Sequence, residues 1–223
     1  MLNLSSHINL NRRDIVLKID IEVVTGFLGY GKTSFINSLL KESQVEGEKV
    51  LIIQMEEGNK KIYEIKDKNY PVEVRKINNL DDIDILLHRY IKKFNPNRII
   101  IEFNGTDKLE SLKRKLELSQ LKKKLKLSTV YFVADSRKLI NNIDNLGYYI
   151  VPFIKDSNMI ILNNTGELEK SVLKNEINTL RGINTRAFIL NVDNKFNLSS
   201  RLRESKVLDN GCIKKIKIKL MNL

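Results

Sequence analysis

Residues 23–35 read VVTGFLGYGKTSF: two valines, glycines at positions 26, 29 and 31, then a lysine followed by the hydroxyl side chains of Thr33 and Ser34 and a resumed apolar pattern. The stretch from Gly26 to Thr33 satisfies G-x-x-x-x-G-K-[ST], with a strand-like run before it and the helix-like SFINSLL after it. Glycines let a backbone wrap an anion with its N–H groups turned inward, and the start of the following helix adds partial positive charge. Lys32 is placed to reach β- and γ-phosphates, and the Thr33 hydroxyl is a natural Mg²⁺ ligand. The residues expected to hold the phosphates are therefore Gly26, Gly29, Tyr30, Gly31, Lys32, Thr33 and Ser34.

Outward from this loop the chain alternates short β-branched runs with helical patterns. Residues 15–24, 49–55, 71–77, 98–103, 128–134, 158–163 and 186–192 read as strands, and several are apolar throughout, as strands buried on both faces are. Between them, residues 80–94 carry Ile83, Leu86, Leu87, Tyr90, Ile91 and Phe94 on one helical stripe that Asn95 and Pro96 stop. The segment from Asp107 places Leu109, Leu112, Leu116, Leu121 and Leu125 on one side, with Asp107 and Glu110 spaced like a capping box. Strands alternating with helices predict an α/β fold of three layers, a mostly parallel central sheet flanked by helices. Ligands of such sheets bind where strand C-termini lead into helices, which is where residues 26–33 fall.

With 223 residues the chain suits one α/β domain, 1–13 frayed, 14–165 bearing the motifs and 166–223 completing the layers with a helix–strand pair and a terminal basic strand, IKKIKIKL (213–220). No apolar run approaches the ~20 residues of a membrane span, and the N-terminus lacks a secretory pattern, so a cytoplasmic location without membrane insertion is expected. One cysteine, Cys212, excludes an internal disulfide. The net charge of +12 is concentrated in 110–127 and 213–220, where lysines interleave with Leu or Ile; these read as solvated faces, and no specific nucleic-acid motif accompanies them.

Two further acidic positions follow strands. In RIIIEFNGT, Glu102 stands where a Walker B carboxylate would orient Mg²⁺-bound or attacking water, and Gly105 suits a γ-phosphate contact; a carboxylate simply closing a strand is the alternative. In IIQMEEGNKK, Glu56 or Glu57 could belong to a loop that senses the nucleotide.

The stretch VVTGFLGYGKTSFINSLL closely resembles the phosphate loop of the CobW/HypB/UreG group of P-loop GTPases, especially the CobW-like branch, which reads G-F-L-G-x-G-K-T. MEEG (55–58) is similar to that branch's N-E-x-G switch segment at Glu56 and Gly58, and IIIEFNG (99–105) to its E-x-x-G segment at Glu102 and Gly105; the resemblance spans roughly 20–165. It implies Mg²⁺-dependent GTP binding and slow hydrolysis serving metal or metallocofactor handling. On this reading Lys32, Glu102 and Glu56 are catalytic, Thr33 and Glu102 hold Mg²⁺, Asn163 contacts the base, and a protein client docks according to the state of residues 56–61.

The sequence departs from the branch in three ways. The C-x-C-C metal motif has no counterpart between residues 60 and 97, and neither His88 nor His7 reads as a metal ligand. The family's second domain is expected to be missing, because residues 166–223 read as completing the first domain. The guanine-reading N-K-x-D is replaced by Asn163-Asn164-Thr165-Gly166, a loss of a charged acceptor worth about 1.5–3 kcal/mol of discrimination unless Glu167 swings in. ATP thus stays open beside GTP, as does a homodimer. The ParA/MinD type of ATPase is disfavoured, since Phe27-Leu28 stands where those carry an extra lysine. Asp135 reads as a helix-capping aspartate with a supporting role. A nucleotide-gated binding module without catalysis and a small-molecule kinase remain alternatives.

Overall fold

The computed structural model describes residues 17–55, 61–62, 65–105, 107–194, 196–208 and 211–222. Seven strands form one sheet: β1 (Ile19–Thr25), β2 (Val50–Gln54), β3 (Val72–Lys76), β4 (Arg98–Glu102), β5 (Leu125–Asp135), β6 (Met159–Asn163) and β7 (Phe188–Val192). Their order is β3-β2-β4-β1-β5-β6-β7, and every pairing between them is parallel. Seven α-helices accompany them among the described residues: α1 (Lys32–Glu42), α2 (Ile83–Phe94), α3 (Leu109–Leu118), α4 (Ser136–Asp156), α5 (Lys170–Ile183), α6 (Leu198–Ser205) and α7 (Cys212–Met221).

Successive strand residues serve opposite faces, so runs that are apolar throughout feed two cores. Leu51, Ile53, Ile99, Ile101, Phe132 and Leu162 pack with α2–α5, whereas Val50, Ile52, Ile100, Val133 and Ile161 pack with α1 and α6. The three expected layers follow, with the sheet wholly rather than mostly parallel. The stripe on α2 ends at Asn95 in the left-handed region, as its sequence predicts, and a single 3₁₀ turn, Leu80–Asp82, precedes it.

Three local expectations are corrected. Residues 213–220 are helical, within α7, and not a strand. The buried side of α7 is built by Lys214, Lys217 and Ile218, with Met221 half-buried, while Ile213, Ile216 and Leu220 face outward. Lysine stems thus supply apolar cover on a helical period, which a division into apolar and charged residues conceals. Lys214 accordingly does not sit on a solvated face: its Nζ lies 3.0 Å from Glu48 Oε1, and Lys217 Nζ pairs with Asp20. The Asp107–Glu110 capping box does not form either. Lys108 is the N-cap of α3, which lacks a side-chain cap, and Leu121 and Leu125 are buried beyond the helix, in a turn and at the start of β5. Helix α6 has no counterpart in the sequence reading, because its apolar positions are few.

Beneath the N-terminal strand ends Arg98 is buried. It donates to Ser43 Oγ (2.9 Å) and the Tyr70 hydroxyl (3.0 Å), and its Nε lies 3.2 Å from Glu48 Oε1. Removing one member of such a network strands the other charges, so it fixes α7, β2 and β4 against one another.

One buried acid lies elsewhere. Glu176 on α5 is fully buried, and burial, with the charge of Asp135 adding to it, pushes its carboxyl from the ordinary 4.5 up to about 7. The folded state therefore binds a proton that the unfolded chain has lost between these two values, and stability falls as pH rises through that window. Glu176→Gln is expected to leave the melting temperature unchanged at pH 5 and to raise stability at pH 8 by about 1–3 kcal/mol, read from paired denaturant titrations.

Candidate functional site

Four strands, two on each side of β1, bring polar residues to one rim. Gln54 pairs in register with Glu102, and Asp135 with Asn163, so the last residues of β2, β4, β5 and β6 stand side by side at the C-terminal edge of the sheet. The loop from Gly26 to Gly31 rises from β1 in their midst, between β4 and β5.

That loop is threaded through a gap without room for side chains. Gly26 has φ +139°, and a methyl group on it would lie 2.1 Å from the Val133 carbonyl oxygen. From the β4 side Gly105 closes in, and its own methyl would lie 2.4 Å from the Gly26 carbonyl oxygen. Gly105 is therefore a wall of the loop. Gly31 caps α1 in the left-handed region at φ +99°, and the helix begins at Lys32, so its unpaired first amides face the rim.

Lys32 is buried, and its ammonium donates to the carbonyls of Gly26 (2.8 Å) and Phe27 (3.2 Å), folding over the loop it belongs to. The Thr33 hydroxyl donates to Glu102 Oε1 at 2.6 Å, and Gln54 Nε2 donates to Glu102 Oε2 at 2.6 Å. Asn163 donates through Nδ2 to the Tyr30 carbonyl at 2.8 Å, while its buried Oδ1 has no partner among the described residues. Tyr30 is buried, its ring 5.7 Å from that of Phe27 and its hydroxyl accepting from Asn142. Burial pushes the Tyr30 phenol above its ordinary range.

The structure thus gathers Gly26, Gly29, Tyr30, Gly31, Lys32, Thr33, Ser34, Glu102, Gly105 and Asn163 at one end of the sheet. Glu56, Glu57 and Gly58 lie outside the described residues. Gln54 is the residue that sequence reading missed; a polar side chain ending the apolar run VLIIQ, next to the Glu102 strand, was its only signal.

The pair of Thr33 and Glu102 offers hard oxygen donors beside a lysine, a set that suits Mg²⁺, which favours oxygen ligands and keeps several of its waters. Thr33 would ligate such an ion and Glu102 would hold its water shell. Among the described residues no group of three or more His, Cys, Asp or Glu is placed to hold a metal ion, and His88 lies on α2, 3.8 Å from Asp84, lining a hollow with Leu17 and Ile19 at the start of β1. Among those residues, too, no helix is long and apolar enough to cross a membrane.

Beside Asn163, at the end of β5, Asp135 caps α4, accepting from the Arg137 amide. Burial works against its charge, yet hydrogen bonds from Arg137 and Asn164 hold its carboxyl below the usual range. Arg137 also reaches Glu167, at 3.1 Å. Glu167 is thereby engaged in an ion pair and does not swing toward the base side in this structure.

An amide-lined loop at a parallel sheet's rim, closing on a helix that starts Lys-Thr, with a carboxylate holding that threonine, defines a P-loop nucleotide-binding domain. The family model of the CobW/HypB/UreG nucleotide-binding domain matches residues 20–191, and the chain belongs to that family. The match runs through β7, beyond the 20–165 over which the motifs alone carry the resemblance. No curated protein is a significant match. Among solved structures, the Zn(II)-bound YjiA GTPase from E. coli superposes with TM-score 0.60 and 22% identity, over 77% of this chain and 57% of that one. A Zn(II)-bound triple mutant of YjiA gives 0.59 and 21%, over 78% and 57%. HypB from Helicobacter pylori in complex with nickel gives 0.47 and 9%, over 92% and 86%. The chain thus spans little more than half of the YjiA structures, and the likeness is one of fold.

Because the Gly105 wall touches backbone, Gly105→Ala must displace the loop. Overpacking of this kind costs about 1–3 kcal/mol, which predicts roughly a ten- to hundredfold loss of nucleotide affinity by titration calorimetry, with the far-ultraviolet circular dichroism unchanged.

Proposed function

We propose that this protein binds GTP with Mg²⁺, hydrolyses it slowly, and acts in the cytoplasm as a nucleotide-gated accessory protein in metal or metallocofactor handling. The observation that carries this reading is the buried chain of hydrogen bonds from Gln54 through Glu102 to Thr33, set directly under the lysine-bearing loop. A bare anion-binding turn needs no such chain. A nucleoside triphosphate with a metal ion does, because the threonine hydroxyl and the carboxylate must be held in fixed relation to the terminal phosphates.

In this scheme the amides of Gly29 to Thr33 cradle the phosphates, and the Lys32 ammonium exchanges its two loop carbonyls for phosphate oxygens. Mg²⁺, when bound, neutralises charge between the β- and γ-phosphates. Glu102 accepts the Thr33 proton, keeps that hydroxyl's lone pairs turned toward the ion, and orients water; Gln54 fixes the carboxylate rotamer. Gly105 offers its amide to the γ-phosphate. Asn163 braces the loop through Tyr30 and contacts the base. Glu56 senses the γ-phosphate, and residues 56–61 relay the nucleotide state to a client protein. Slow turnover is expected because residues 23–40, 55–58 and 99–105 contain no arginine to stabilise transition-state charge. The metal connection is supported by family membership and by the Zn(II)-bound state named for the YjiA structure.

The test is phosphate release and nucleotide binding by the whole chain. Wild type is expected to bind GTP and release phosphate only with Mg²⁺. Lys32→Ala should weaken GTP binding at least about tenfold, as loss of a charge-assisted contact does, and Glu102→Gln should bind GTP but turn it over at least about tenfold more slowly. Turnover that persists in Lys32→Ala, or that ignores chelation of Mg²⁺, would refute the assignment.

A further inference from the structure

The base loop after β6 carries no acidic residue at its fourth position, which is Gly166. The structure shows what fills the space beside it. The Gly166 amide donates to the Asp193 carbonyl at 3.2 Å, and a methyl group on Gly166 would lie 3.1 Å from that oxygen and 3.2 Å from Asp193 Cβ. Asp193 is the first residue past β7, one step beyond Val192, which pairs in register with Asn163. Its Oδ1 accepts from the Thr165 hydroxyl at 3.4 Å, and the residue is exposed. Among the described residues the neighbouring carboxyl groups are occupied otherwise: Asp135 and Glu167 are both paired to Arg137, and Glu176 is buried behind Asp135.

Position along the rim agrees with a base contact. The phosphate loop leaves β1 and is pinned to β6 through Tyr30 and Asn163. The β7 edge lies three strand spacings from β1, about 14 Å, a span that an extended nucleoside triphosphate covers. A carboxylate there presents two acceptors and no donor. Guanine offers two neighbouring donors, N1–H and the exocyclic amine, whereas adenine presents an acceptor at N1, which would face a second acceptor.

We propose that Asp193 supplies, from the end of β7, the carboxylate that reads guanine, in place of the acid absent from position 166. The inference rests on the nucleotide site described above. Thr165 acts as a positioning residue that turns the carboxylate toward the base.

The experiment is equilibrium binding of GTP, ATP and xanthosine triphosphate, each with Mg²⁺, to wild type, Asp193→Asn, Glu167→Gln and Lys32→Ala. Wild type is expected to prefer GTP over ATP. Asp193→Asn should weaken GTP about ten- to hundredfold and leave ATP nearly unchanged. It should also strengthen xanthosine triphosphate, whose C2 carbonyl accepts from a carboxamide while N1–H donates to it; a merely structural role for Asp193 would produce no such gain. Glu167→Gln should preserve the GTP-to-ATP ratio. An unaltered ratio in Asp193→Asn with binding intact, a ratio that collapses in Glu167→Gln, or a wild type indifferent to the base would each overturn the assignment to Asp193 while leaving the phosphate site standing. Binding by wild type that is absent, or equal in Lys32→Ala, would overturn the phosphate site and this inference with it.

Discussion

The passage of the backbone at Gly26 is the constraint on which the site depends. With φ at +139° and a Cβ position only 2.1 Å from the Val133 carbonyl oxygen, no other residue lets β1 hand over to the loop at this height. The path delivers the chain to Gly31 in the left-handed region, starts α1 at Lys32, and leaves Thr33 within 2.6 Å of Glu102. A shift of the crossing would move the lysine, the hydroxyl and the helix amides together. The chemistry at the rim is therefore fixed by packing beneath it, in the two cores that hold β1, β4 and β5 in their registers.

Parallel pairing explains why the remaining polar groups meet. In an all-parallel sheet every strand ends at the same edge, so Gln54, Glu102, Asp135 and Asn163 need only occupy the last position of their strands to stand in line. From that shared edge Glu102 holds Thr33, Gln54 holds Glu102, Asp135 starts α4, and Asn163 ties the loop to β6. The hydrogen bonds differ, but all depend on the same alignment. The opposite edge is organised by charge, around Arg98 and Glu48.

The fold was legible where burial on both faces writes itself as an apolar run, and all seven runs are strands of the sheet. The phosphate loop was legible because its glycines, lysine and threonine are each required by local geometry. Legibility failed where a side chain has two characters. The lysines of 213–220 pack their stems and pair their heads, so their helical period was invisible, and Gln54 looked like the ordinary polar end of a strand. The spacing of Asp107 and Glu110 was satisfied in sequence but not in space, since the chain enters α3 one residue later, at Lys108. Asp193, proposed above as a base contact, is separated from residues 163–166 by a whole helix and strand, and only the register of β6 with β7 makes them neighbours.

The anchoring of α7 has a mechanical consequence. Besides the buried Ile218 and the hydrogen bonds of Asn222 to Asn97 and Gly47, its grip on the body includes two dissimilar ion pairs: the Lys214–Glu48 contact, largely buried beside Arg98, and the Lys217–Asp20 contact, about one-quarter to one-third accessible at 26% and 31%. Dissolved electrolyte shields the second and scarcely touches the first. Increasing salinity thus weakens the attachment at Lys217, while Lys214, the buried Ile218 and the hydrogen bonds of Asn222 keep their hold on the helix.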